Sequence, residues 1–155
     1  IYNPETKANP VARSNVCPEL DKPPEPSFHA FSFVAEGDVG APQFVISGSA
    51  EARDGTAPYA ERIIRLNDTS PEAMREKATF VLGRMESRMA SFGAGWADTT
   101  GTQVYSVHDI HPFLGDEIVR RGATPAGLTW HFDRPPVIGL DYEMDCRSVA
   151  IERAL

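Results

Sequence analysis

Polar side chains alternate with apolar ones along two runs near the carboxyl end of the sequence, 128–132 and 140–149. The polar residues at every second position are Thr129, His131, Asp141, Glu143 and Asp145. Successive side chains of a strand point to opposite faces, so each set shares one face. If the loop 133–139 closes an antiparallel pair, Thr129 falls near Glu143 and His131 near Asp141. Neighbouring carboxylates raise one another's pKa, which gives an acid or base that works near neutral pH. The alternative is a polar strand face turned to solvent or to another subunit.

Two other groups of residues are weaker candidates for chemistry. His108 and His111 are spaced as metal ligands can be, but no third ligand follows at a recognisable spacing, so we predict no metal site. Ser47 follows an apolar run, but no helix comes after it as a hydrolase nucleophile requires. Gly48 instead indicates a place where a ligand or another chain approaches the backbone.

The clearest element that could position these residues is a helix starting at Ser70. Ser70 suits the N-cap, Pro71 the first helical position and Glu72 the positive end of the helix dipole. An apolar stripe at spacings of three and four then predicts one buried face. Its members are Met74, Ala78, Val81, Leu82, Met85, Met89 and Phe92. A shorter helix is predicted over 112–121.

Strands are predicted over 28–34, 43–47, 102–107, 128–132 and 140–149. The order β-β-α-β-α-β-β predicts an α/β (α+β) domain, with a mixed, mostly antiparallel sheet and both helices on one face. The other face of the sheet needs cover, and an oligomer is the simplest source of it.

Residues 1–27 differ from the rest of the chain because they contain six of its 13 prolines. Proline removes a backbone donor and disfavours helix before it. We interpret 1–27 as an N-terminal arm, with a short strand near 11–16, and 28–155 as a single domain. The sequence leaves open whether the arm lies on the surface or is a floppy tail.

Net charge and apolar content exclude two classes of partner. The net charge is −7, and the pI is near 5.0, so we expect neither nucleic acid nor an anionic membrane as a partner. No apolar stretch approaches the roughly 18 residues that span a bilayer. Cys17 and Cys146 are expected as reduced thiols, which predicts a cytoplasmic protein.

Four segments occur in the order found in the RidA/YjgF family, which the chain resembles over about residues 30–150. They are FVISGS (44–49), QVYSVHDIHPF (103–113), TPAGLTW (124–130) and YEMD (142–145). The resemblance implies a chorismate-mutase-like fold and a homotrimer whose sheets form a central barrel. It also implies three clefts between subunits, where a small-molecule enamine or imine is hydrolysed to a ketone and ammonia without a metal or organic cofactor.

The resemblance also implies roles for individual residues. Ser47 and Gly48 match the family's Ser-Gly of the early strand, and Glu143 matches its catalytic-side glutamate. Thr129 stands where the family often has cysteine. Gly127 stands where the family has the arginine that binds a substrate carboxylate, and glycine offers no such contact.

The loss of that arginine has three possible consequences. The chain has lost deaminase activity, or another cation replaces the arginine, or the substrate differs from a simple 2-imino acid. The candidate cations are Arg121, Arg134 and Arg147. A larger substrate would be an aminomuconate-type product, on which Trp130 or Tyr105 could pack.

Three functions are therefore compared. The first is a cofactor-free enamine or imine deaminase, in which Glu143 positions or activates water and Thr129 or His131 hydrogen-bonds it. The second is a non-catalytic small-molecule-binding or regulatory trimer of the same fold. The third is a chaperone-like or interaction protein without a pocket.

Overall fold

A four-stranded sheet with one long helix on its face forms the centre of the protein. The computed structural model describes residues 11–37 and 40–153. The strands are β1 (Cys17–Pro18), β2 (Phe44–Ala50), β3 (Gly101–Tyr105), β4 (Leu128–His131), β5 (Asp133–Arg134) and β6 (Glu143–Ser148). The helices are α1 (Tyr59–Arg62), α2 (Pro71–Ala90) and α3 (His111–Phe113), which continues as a π-helical segment (Leu114–Val119). A single 3₁₀ turn covers Trp96–Asp98.

Helix α2 confirms the predicted capping and the predicted buried face. The Ser70 hydroxyl accepts a hydrogen bond from the Ala73 amide at 3.3 Å, and Pro71 is the first helical residue. Six residues of the predicted stripe are buried: Met74, Ala78, Val81, Leu82, Met85 and Met89. Burying a large apolar side chain contributes about 1.5–3 kcal/mol, so this face fixes the helix on the sheet. Phe92 is exposed beyond the end of the helix, so its assignment to the stripe was wrong.

The strand order β2-β6-β3-β4 gives a mixed sheet with two antiparallel pairs and one parallel pair. This agrees with the predicted α+β class and its mostly antiparallel sheet. The predicted hairpin between 128–132 and 140–149 is wrong, because β3 lies between β4 and β6. Strands β3 and β4 are parallel, since α3 and its flanking loops provide the long crossover that parallel neighbours require.

The predicted strand over 28–34 is also wrong. The segment has no strand pairing, and four of its apolar side chains are exposed: Phe28, Phe31, Phe33 and Val34. Alternation shows that a segment can form a strand, but a strand also needs a partner edge. The predicted second helix exists but is split into a short α-helix and the π-helical segment.

The described part of the N-terminal arm lies on the domain. Its strand is Cys17–Pro18, not 11–16 as predicted, and it pairs antiparallel with Asp133–Arg134. Residues 1–10 lie outside the described residues, and the division at residue 27 stays a prediction. Cys17 is exposed and Cys146 is buried, and both are free thiols. Across 11–37 and 40–153, no helix has the length and apolar character to cross a membrane.

Candidate functional site

The sheet face opposite α2 carries two rows of polar side chains. Tyr105 lies between Glu143 and His131 in one row. In the other row, Gln103 lies between Asp145 and Thr129. The predicted contact of Thr129 with Glu143 is therefore wrong, because a whole strand separates them. The predicted contact of His131 with Asp141 is also wrong, because Asp141 lies just before β6, and β3 lies between β6 and the strand of His131.

Glu143 is a buried carboxyl group for which the described residues supply no hydrogen-bonding partner. Only 5% of its surface is exposed, and none of the hydrogen bonds among the described residues reaches its side chain. Burial, together with the nearby charges of Asp145 and Glu51, raises the pKa of Glu143 to about 7. A carboxyl group with this pKa exists in both protonation states near neutral pH, as an acid or base catalyst requires.

A β-bulge brings the backbone of Gly48 against this carboxyl group. Ile46 pairs with Cys146 and Ser49 with Met144, so two residues of β2 lie opposite Asp145 alone. A Cβ atom on Gly48 would lie 2.0 Å from Oε1 of Glu143. Only glycine therefore allows Glu143 its present position. The group that approaches Gly48 is a side chain of this chain, so the predicted approach of a ligand or another chain stays a prediction.

Asp145 organises the polar face next to Glu143. It accepts hydrogen bonds from the Ser14 hydroxyl at 2.7 Å, the Tyr105 hydroxyl at 2.8 Å and the Gln103 amide at 3.1 Å. Burial, followed by the charge of Asp145, raises the pKa of Tyr105, which therefore stays a neutral donor. The Ser14 hydroxyl also accepts the amide N–H of Gly48 at 3.0 Å. The arm thus covers part of the sheet face that was expected to be covered by another subunit.

A buried charge cluster fixes the start of β6, where Glu143 lies. Lys77 and Glu51 are fully buried, 3.6 Å apart, and Lys77 also forms an ion pair with Asp141. The Glu51 carboxylate accepts the backbone N–H groups of Asp141 and Tyr142, which immediately precede Glu143. Burial raises the pKa of Glu51. We conclude that this cluster positions Glu143.

A cavity of about 300 Å³ opens beside Glu143 and Gly48. Five arginines line it: Arg13, Arg53, Arg62, Arg84 and Arg88. None of the five was predicted from the sequence. A usable signal was the spacing of Arg84 and Arg88, which places both on one face of α2. The other three come from the arm and from the segment between β2 and α2, and only the tertiary structure shows that they meet.

The other predicted substrate-binding residues do not line this cavity. Ser47 contributes its carbonyl oxygen to Arg88 at 3.4 Å, and Gly127 precedes β4 with a positive φ of 102° and open space around it. The Trp130 indole donates to the Ser106 carbonyl oxygen at 2.9 Å. His131 lies 2.7 Å from Gln103 Oε1 and stacks on Tyr105. Roles for these residues, and for Thr129, stay predictions.

The three cations proposed to replace the missing arginine each have an acidic partner within the protein. Arg121 binds Glu86 and Glu117. Arg134 binds Glu19 at 2.8 Å, and Arg147 binds Glu152 at 2.6 Å. Their positive charges are already matched.

The two histidines considered as metal ligands each contact one aspartate. His108 lies 3.2 Å from Asp141, and His111 lies 2.6 Å from Asp109. Within the part of the chain that the structure describes, no three His, Cys, Asp or Glu residues are grouped to hold a metal ion.

Comparisons with known proteins agree on the family. The family model described as 2-aminomuconate deaminase CnbZ matches residues 1–153. A 2-amino-5-chloromuconate deaminase of Comamonas testosteroni is 50% identical over 151 residues, which are 96% of this chain and 60% of that protein. The chain therefore spans about three fifths of the length of this curated relative.

Solved structures show likeness in the fold alone. A Thermotoga maritima protein, provisionally described as an endoribonuclease, is 16% identical with a TM-score of 0.51, over 88% of this chain and 93% of that one. Rv2704 of Mycobacterium tuberculosis, a member of the YjgF/YER057c/UK114 family, is 17% identical with a TM-score of 0.47, over 71% and 80%. Given the match to nearly the whole sequence and the identity of half its residues, the chain belongs to the 2-aminomuconate deaminase CnbZ family.

Proposed function

We propose that the chain hydrolyses the C–N bond of an aminomuconate-type enamine or imine and releases ammonia, with Glu143 as the catalytic acid–base. The observation that carries this proposal is the buried Glu143 carboxyl group, with its pKa near 7, at the wall of a cavity rich in arginine. The family model and the name of the Comamonas relative support the same substrate class.

The reaction can be written with side-chain chemistry alone. Protonation of the enamine at carbon by a proton from solvent gives an iminium ion, and water adds to the carbon that bears the nitrogen. Loss of ammonia, with return of the hydroxyl proton to solvent, then leaves a ketone, so one water is consumed and nothing is oxidised or reduced. Ionised Glu143 accepts a proton from the attacking water and returns it to the departing nitrogen. The proposed reaction is therefore cofactor-free.

A homotrimer in the cytoplasm is part of the same proposal. The exposed side chains of Phe28, Phe31 and Phe33 support a subunit interface, because an exposed cluster of large apolar residues commonly marks a contact surface. The free thiols support a reducing compartment. Mass measurement in solution tests the assembly, and a stable monomer would contradict it.

Ammonia release from 2-aminomuconate generated in situ tests the reaction. Glu143→Gln removes the titrating group and keeps the side-chain volume, so we expect kcat/KM to fall by about 10²–10⁴. Glu152→Gln is the matched control, because Glu152 is exposed and pairs with Arg147 away from the cavity, and it should keep full activity.

Two outcomes would contradict the proposal. Full activity in Glu143→Gln would show that Glu143 is not the acid–base. A melting temperature that rises with substrate, without ammonia release by the wild type, would favour the non-catalytic binding protein instead.

A further inference from the structure

The walls of the cavity beside Glu143 are strongly cationic, although the whole chain has a net charge of −7. Five arginines line the cavity, against two acidic side chains, Asp54 and Glu143. One of the five is matched, because Arg84 forms an ion pair with Asp54 at 2.9 Å. The remaining four, Arg13, Arg53, Arg62 and Arg88, have no carboxylate within ion-pair distance among residues 11–37 and 40–153.

Arg88 is the most constrained of these four. Its guanidinium donates to the Ser49 hydroxyl at 2.6 Å and to the Ser47 carbonyl oxygen at 3.4 Å. It is half-buried, and burial together with the neighbouring Arg84 lowers its pKa. Charges removed from water are normally paired. The half-buried charge of Arg88 therefore has a desolvation cost that a bound anion would offset.

Arg62 is held in a similar way. Its guanidinium lies over the Tyr59 ring, 4.8 Å from the ring centre, and donates to the Arg53 carbonyl oxygen at 3.1 Å. Its Nε atom is buried without a hydrogen-bonding partner within the described structure. A buried donor without a partner is uncommon in a folded protein.

We propose that Arg88, together with Arg62 and Arg53, binds the carboxylate groups of a dicarboxylate substrate and replaces the family arginine that is Gly127 in this chain. This inference rests on the proposed function, and it deepens it by assigning the residues that recognise the substrate. A guanidinium binds carboxylate through two parallel hydrogen bonds, the strongest such contact a side chain makes. Because Glu143 lines the same cavity, a carboxylate held by these arginines places the rest of the molecule beside the acid–base.

Binding of an unreactive dicarboxylate tests the inference without turnover. Muconate has no amino group to lose, and sorbate has the same carbon chain with one carboxylate. We expect muconate to bind at least tenfold more tightly than sorbate in a calorimetric titration. Arg88→Met and Arg62→Met should each weaken muconate binding about 10- to 100-fold, the effect of losing a hydrogen bond to a charged group. Arg88→Lys keeps the charge and should recover part of the loss.

Arg120→Met is the matched control. Arg120 is exposed and pairs with Asp116 outside the cavity, so this variant loses the same charge and should bind muconate normally. Unchanged muconate affinity in Arg88→Met and Arg62→Met overturns the inference, and so does equal binding of muconate and sorbate. Ammonia release with unaltered muconate binding in these variants contradicts the inference alone. Muconate binding that depends on Arg88, without ammonia release from 2-aminomuconate, contradicts the proposed function alone.

Discussion

Substitution of Gly48 by alanine should disable the site without unfolding the protein. The added Cβ atom would lie 2.0 Å from Oε1 of Glu143, whereas ordinary contacts begin at 3.4 Å, so the carboxyl group must move by about 1.4 Å. The backbone of Ser14 is 3.6 Å away and need not move. Misplacing a reacting group by about 1 Å costs on the order of 100-fold in rate, so we expect kcat/KM for ammonia release to fall at least this far.

The stability of this variant should change little. The added Cβ atom would meet the end of the flexible Glu143 side chain. Gly48 also lacks a left-handed backbone angle, which alanine would disfavour. We expect the free energy of unfolding in urea to stay within about 1 kcal/mol of the wild type. Gly83→Ala is the matched control, because a Cβ atom there meets nothing within 4 Å. It lies inside α2, where alanine is favoured by about 0.5–1 kcal/mol, so the control should be active and slightly more stable.

A folded Gly48→Ala variant with wild-type activity would refute this reasoning. It would mean either that Glu143 tolerates displacement or that it takes no part in the reaction. A variant that loses both activity and several kcal/mol of stability would show that the bulge, and not the carboxyl position, requires glycine.

Three further predictions concern charge in and around the site. The kcat/KM for ammonia release should decrease as pH falls below about 7, and Asp145→Asn should move this limb to lower pH, because the charge of Asp145 raises the pKa of Glu143; an unmoved limb in pH–rate profiles would contradict this. The pKa of Glu143 rises from 4.5 to about 7 on folding. Its contribution to the free energy of unfolding should therefore be fully present below pH 4.5, and up to about 3 kcal/mol of it should be lost as pH rises through 7. Urea unfolding of Glu143→Gln should lack this decrease, and parallel pH curves for variant and wild type would count against it. Lys77→Met leaves the fully buried Glu51 without its cation, so thermal unfolding should show a loss of about 3–5 kcal/mol; an unchanged melting temperature would show that this cluster does not stabilise the fold.

The sequence predicted features that depend on local chemistry. Ser70, Pro71 and the apolar stripe specify α2, because capping and helical periodicity are properties of neighbouring residues. The alternation in β6 placed Glu143 and Asp145 on the face opposite the helix, since strand geometry has a period of two.

Strand partners and the contents of the cavity required the tertiary structure. Period-two alternation does not show which strand is the neighbour in the sheet. Strand β3 lies between the two runs that were expected to form a hairpin. Residues 28–34 have the same alternation but form no strand pairing within the described chain.

The alternation along the strand placed Glu143 with other polar residues on one face of the sheet, and the family resemblance singled it out among them. The arginines of the cavity were not predicted from the sequence. Arg13, Arg62 and Arg88 come from the arm, from α1 and from α2, and no spacing along the chain brings them together. The sequence by itself determined which face of its strand Glu143 occupies. Only the packing of the arm and the helices on the sheet decided which cations surround it, because contacts between distant segments depend on how whole elements pack.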